Sequence, residues 1–163
     1  MVNPDRFATN VSTPRFRIRR AKLNEESVVH SCVRQAFEKY VARIGKEPAP
    51  MTADFARQIE SGFVDVAEVN GEIVACVTFF PVEDHMHLAN LAVRPDYSGQ
   101  GIGKTLIKHV EQAAIEAGHV AVELYTNEAM LENLAMYPKL GYKETGRRTE
   151  EGYHRVYFRK AIR

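Results

Sequence analysis

One stretch constrains this chain more than any other: an apolar strand that runs into alternating glycines and then a long amphipathic helix. From Leu88 to Lys104 it reads Leu-Ala-Asn-Leu-Ala-Val-Arg-Pro-Asp-Tyr-Ser-Gly-Gln-Gly-Ile-Gly-Lys. The strand is predicted to end at Val93, and Pro95, which has no N–H to give a ladder, stops it. Gly99, Gly101 and Gly103 alternate through a tight turn. Ile102, Leu106, Ile107, Val110, Ala113, Ala114 and Ala117 then recur at helical spacing, and Gly118 closes the helix.

Such glycines have a physical use. The first turn of a helix leaves backbone N–H groups unpaired and carries partial positive charge. Residues without Cβ let a bulky anion approach those groups. A tight strand-to-helix turn without a ligand satisfies the same spacing. The dinucleotide fingerprint fails, because its third glycine would fall at Lys104 or Leu106. The Walker pattern fails too, since Ser98 stands where its first glycine belongs.

Composition narrows the remaining classes. At 163 residues with 45% apolar content, the chain is long enough for one packed domain, expected over residues 15–163. Residues 1–14 read as a flexible N-terminal arm. The net charge of +1 argues against a nucleic-acid partner. Cys32 and Cys76 sit in periodic apolar segments and read as buried free thiols of a reducing, cytoplasmic compartment. No metal motif, signal-peptide core or membrane-length apolar run is found.

Taken in order, Phe16 to Arg20 alternates as a strand. Asn24 is placed to cap a helix with Val29, Val33, Ala36, Phe37 and Tyr40 on its buried face, ended by Gly45. Thr52 is placed to cap a second helix carrying Phe55 and Ile59. Phe63 to Val69 and Ile73 to Phe80 form a hairpin about Asn70-Gly71, the second strand ended by Pro81. His85 to Val93 is the strand before the glycine turn. After the long helix come a strand over Val120 to Thr126, expected parallel to it, and a short helix ending at Lys139. Tyr142 to Arg147 and Tyr153 to Arg159 are the last strands. The order β-α-α-β-β-β-α-β-α-β-β implies an α/β (α+β) domain with a mixed, mostly antiparallel twisted sheet flanked by helices.

The motif Val93-x-Pro95-x-x-Ser98-Gly99-Gln100-Gly101-Ile102-Gly103-x-x-Leu106 resembles the acetyl-CoA signature of the GNAT superfamily of N-acetyltransferases. Ser98 departs from the usual Gln or Arg, which bears on one side-chain contact and not on the backbone cradle. The resemblance runs from about Arg17 to Lys160. It implies that Ser98, Gly99, Gln100, Gly101, Ile102, Gly103 and Lys104 hold the CoA pyrophosphate. It also implies that the strands ending at Val93 and Asn127 splay apart, and that Leu91, Ala92 and Val93 offer backbone groups to pantetheine. The implied activity is transfer of an acetyl group from acetyl-CoA to a primary amine, by direct attack in a ternary complex. An acyl-CoA-binding module without turnover is the alternative, and a nucleotide-phosphate binder a more distant one. Dimers are common in the family, though no residue here forces one.

Transfer from a thioester to an amine needs a base for the ammonium proton, a donor for the carbonyl oxygen and a proton for the departing thiolate. Asn133-Leu-Ala-Met-Tyr137-Pro-Lys-Leu-Gly141-Tyr142 resembles the family element whose tyrosine serves the thiolate, which makes Tyr137 the general acid. A tyrosine packing the helix end fits the same residues. Asn127 or Asn133 supplies a cofactor amide contact; Asn127 reads equally as a helix cap. Glu83, Asp84, His85, His87 and Glu123 are candidates for the base, Glu83 and His87 foremost. Alternation places His85 and His87 on one face with Ala89 and Leu91. The acceptor pocket is expected among the first two helices, the Arg43–Met51 connector and the final hairpin, with Tyr40, Met51, Tyr125, Tyr153 and His154 available to line it.

Overall fold

Asn70 and Gly71 take left-handed φ values of 52° and 80°, the conformation a two-residue hairpin turn demands. They join β2 (Val64–Val69) to β3 (Glu72–Val82), and β1 (Arg17–Arg20) pairs antiparallel on the outside of β2. A second tight turn at Glu83-Asp84 returns the chain as β4 (His85–Val93). These contacts come from a computed structural model that describes residues 15–162. The arm expected over residues 1–14 lies outside them.

The helices follow from their apolar spacing, with two changes at their starts. A 3-10 turn over Leu23–Glu25 precedes α1 (Glu26–Ile44). Asn24 lies inside that turn and does not cap. Glu25 accepts the Lys22 N–H at 2.8 Å instead, and Arg19 beside it holds the Glu25 carboxyl down at about 2. Asp54, not Thr52, caps α2 (Phe55–Glu60) by accepting the Arg57 N–H at 3.1 Å. The Thr52 hydroxyl turns back to the Ala49 carbonyl at 3.1 Å. The long helix is α3 (Ile102–Glu116), followed by β5 (Ala121–Asn127), α4 (Leu131–Lys139), β6 (Lys143–Glu150) and β7 (Tyr153–Ala161). Tyr142 stands just before β6, and its hydroxyl donates to Glu111 of α3 at 2.9 Å.

The seven strands form one sheet in the order β1-β2-β3-β4-β5-β7-β6. As expected, β5 runs parallel to β4, and the other pairings are antiparallel. Pro81 does not end β3; it pairs with Met86 inside the strand. The Phe79 N–H goes to Phe63 just before β2, so two residues on the missing Pro81 N–H points past the end of that strand.

One irregularity matters for everything that follows. Asn90 pairs with Thr78 and Leu88 with Phe79, so Ala89 is an extra residue in β4. The bulge breaks the period of two. His87 therefore shares a face with Asn90 and Ala92, and not with Leu91 as strict alternation would have it. Leu88, Leu91 and Val93 share the opposite face, where they meet the α3 core built on Leu106, Ile107 and Val110. Ala92 and Cys76 belong to the second core, under α1 and α2.

Candidate active site

Parallel pairing of β4 and β5 runs from His85↔Ala121 to Leu88↔Leu124 and goes no further. Both strands continue, β4 to Val93 and β5 to Asn127, so a gap opens between them. The gap starts at the Ala89 bulge, as expected where an inserted residue bends one strand away from its neighbour. The Arg94 N–H, just past β4, donates to the Val74 carbonyl of β3 at 2.8 Å. By alternation the N–H groups of Leu91 and Val93 face the other way, into the gap.

At the top of the gap stands the head of α3. Gly99 and Gly101 have φ of 76° and 84°, and a Cβ on either would meet nothing within 4 Å. Gly103 is different: its φ is ordinary, and a Cβ would touch Val93 Cγ2 at 3.7 Å, because the first turn of α3 packs directly on β4. The helix has no side-chain cap. Among the described residues, the backbone N–H groups of Gly99, Gln100, Gly101, Ile102, Gly103 and Lys104 have no protein acceptor; the first to be used is Thr105, which donates to Gly101. Ser98 turns its hydroxyl back to the Pro95 carbonyl at 2.8 Å, and the Lys104 side chain is exposed. The loop is therefore an open anion cradle of backbone donors.

Below it lies a cavity of about 180 Å³. Leu91, Asn127, Asn133 and Tyr137 of the sequence-derived set all line it. Tyr137 is 4% exposed, packed on Tyr142 and Phe158, and its hydroxyl has no protein partner among the described residues. Burial pushes its pKa well above the ordinary tyrosine value, so it keeps its proton. Pro138 follows within the last turn of α4, which ends at Lys139. Asn127 does not cap α4. Its side chain accepts the Ala129 N–H at 2.9 Å, and Met130 holds the cap position. Asn133 donates to Thr126 Oγ1 at 3.1 Å.

The two base candidates separate. His87 lies on β4 between the rings of Phe80 and Tyr125, at 5.3 and 5.7 Å. Burial and the neighbouring His85 lower its pKa, so it is neutral and able to accept a proton. Glu83 sits at the tip of the β3–β4 hairpin with φ of 53°, exposed, at the closed end of the sheet away from the gap. His85 and Glu123 pair with each other at 2.8 Å.

Of the expected pocket residues, Tyr125 and Tyr153 line the cavity. Tyr40 and Met51 are buried in the α1–α2 core, and His154 bonds Thr149 at 2.8 Å. Pro48, Ala49 and Pro50 of the expected connector also contribute. Four polar lining residues were not foreseen: Gln58, Asn90, Thr126 and Arg155. Asn90 escaped because its inward direction depends on the bulge. Arg155 sits in a strand whose alternation gives a basic residue no special meaning.

A sequence model of the acetyltransferase (GNAT) family matches residues 29–142. N-acetyltransferase 8 of Rattus norvegicus is 32% identical over 119 residues, which is 69% of this chain and 53% of that protein. The chain thus spans about half the length of the curated relatives it matches. The crystal structure of PaiA N-acetyltransferase from Thermoplasma acidophilum in complex with coenzyme A superposes with a TM-score of 0.77 at 17% identity, covering 90% of this chain and 99% of that one. The ribosomal-protein-S18-alanine N-acetyltransferase of Escherichia coli gives a TM-score of 0.70 at 20% identity, covering 91% and 94%.

Proposed function

The chain belongs to the GNAT family of acetyltransferases, and on that premise we propose that it moves an acetyl group from acetyl-CoA to a primary amine by direct attack in a ternary complex. The observation that carries this reading is the run of backbone N–H groups from Gly99 to Lys104 with no acceptor among the described residues, set at the head of a gap whose cavity Tyr137 lines. The residues present fit CoA. Ser98 to Lys104 would hold the pyrophosphate, and the gap side of Leu91, Ala92 and Val93 would take the pantetheine amides. Asn127 and Asn133 would flank it from the other wall. When bound, acetyl-CoA supplies the activated acyl group.

The chain's own residues do the rest. The Leu91 N–H, directed into the gap, is placed to stabilise the carbonyl oxygen as charge develops on it. The amine loses its proton to His87 or to water; a C–N bond forms, the C–S bond breaks, and Tyr137 gives its proton to the leaving sulfur. Cys32 of α1 and Cys76 of β3 are buried in the core between them and line no part of the cavity, which supports direct transfer over a covalent relay. Two reduced thiols also accord with a cytoplasmic setting.

A free-thiol assay across amines, amino acids, peptides and polyamines tests the reading, with calorimetric titration of CoA beside it. CoA binding together with amine-dependent thiol release is the expected result. Binding without release from any amine would leave the alternative, a CoA-binding module; no binding would end both.

A further inference from the structure

Two polar side chains line the cavity without a hydrogen bond among the described residues. Asn90 is 7% exposed, and both its Oδ1 and its Nδ2 lack a hydrogen-bond partner among the described residues. Leaving a buried amide unpaired costs free energy, so such a group marks a ligand position more readily than a packing one. Arg155, on β7 opposite Asn127 of β5, has a side chain 11% exposed. Its guanidinium carbon lies 4.3 Å from the ring centre of Tyr125 and 5.9 Å from that of Tyr153. Among the described residues it donates no hydrogen bond. It forms two long ion pairs, to Glu150 Oε2 at 3.9 Å and Glu151 Oε2 at 3.8 Å, while the other Glu150 oxygen accepts from the Tyr157 hydroxyl. Among the described residues the cavity lining holds this one cation and no carboxylate.

We infer that the acceptor is an amine that also carries a carboxylate, an α-amino acid or close analogue. Arg155 receives the carboxylate and Asn90 Oδ1 accepts from the amine. A planar guanidinium positioned by two rings and two long ion pairs, with no hydrogen bond of its own among the described residues, presents the fork that matches a carboxylate. An acid-free cavity disfavours polyamines and other polycations, which would need counter-charges there. The bulge at Ala89 is what turns Asn90 toward the acceptor side while Leu91 keeps its N–H on the gap. Phe37, Tyr125 and Tyr153 supply apolar walls for the acceptor's side chain.

This inference rests on the acetyl-transfer reading, and the experiment separates the two. Thiol release is compared for phenylalanine and phenethylamine, which differ only in the carboxylate. The expected result is a kcat/KM about 10- to 100-fold higher for phenylalanine, the range for a hydrogen bond to a charged group. In Arg155→Met the KM for phenylalanine rises to that for phenethylamine, while CoA affinity, read calorimetrically, is kept and reports an intact fold. Equal kcat/KM for the pair in the wild-type protein overturns the inference and leaves acetyl transfer standing. Independently of turnover, N-acetylphenylalanine and its amide are titrated calorimetrically with CoA present. The acid is expected to bind at least about 10-fold tighter, with the difference lost in Arg155→Met. Equal binding, or none by either, overturns the inference even if no amine supports catalysis.

Discussion

Tyr137 and His87 are pushed in opposite directions by one cause. Burial disfavours the charged form, which is the phenolate for tyrosine and the imidazolium for histidine. Tyr137 is therefore protonated, and His87 neutral, across the neutral range, as a proton donor and a proton acceptor require. Replacing Tyr137 by Phe is expected to lower kcat by about 10²- to 10⁴-fold with acetyl-CoA affinity kept, since a general acid acts in the transition state. Single-turnover rates beside CoA calorimetry check this; full turnover in the variant removes Tyr137 from the chemistry. The His87 shift also bears on stability. Its folded pKa lies below the unfolded value of 6.5, so below that value the unfolded chain binds more protons. The stability His87 contributes is thus present above pH 6.5 and lost as pH falls through its lower folded pKa. Melting curves between pH 5 and 7 are expected to fall less steeply toward acid in His87→Gln than in the wild-type protein.

Among the elements, the α3 turn shows that three evenly spaced glycines need not be there for one reason. Gly101 caps α3 at φ 84°, where a Cβ meets no neighbour but the backbone itself resists. Gly101→Val is expected to cost about 1–2 kcal/mol of folding stability and to abolish measurable CoA binding, read by denaturant titration and calorimetry. Gly103 has helical φ, and its added methyl would meet Val93 and Leu91 at ordinary distances of 3.7 and 4.0 Å. Gly103→Ala is expected to stabilise the fold by about 0.5–1 kcal/mol through helix propensity. The positions of these glycines, the element order and the Asn70-Gly71 hairpin were legible because each depends on local chemistry. The Ala89 bulge was not, since Leu88 to Val93 reads as one unbroken strand. With it went the faces of His87 and Asn90. The caps failed for a related reason: Asn24 and Thr52 are good capping residues, but Glu25 and Asp54 were better placed by the turns before them.

Seen as a whole, the sheet is two units joined by a short seam. β1 to β4 follow one another in chain order as antiparallel neighbours, and β5, β7 and β6 form the other unit. Between them the ladder covers only His85–Leu88 against Ala121–Leu124, although the core under α3 draws side chains from both units. A ligand seated in the gap would bridge the head of α3, β4 and the end of β5, replacing ladder bonds the protein leaves unmade. Its binding energy would appear as stability of the entire molecule, because an unfolded chain has no such gap. At 100 times its Kd, CoA is expected to add about 2.7 kcal/mol, equivalent to a rise in Tm of about 5–10 °C for a chain of this size. Hydrogen exchange locates the effect. The Leu91 and Val93 amides, which face the gap, are expected to slow on adding CoA, whereas the Ala92 amide faces β3 and is expected to change little. Slowing spread evenly over all three would mean that CoA stabilises the sheet from elsewhere, with the β4 edge playing no part in holding it.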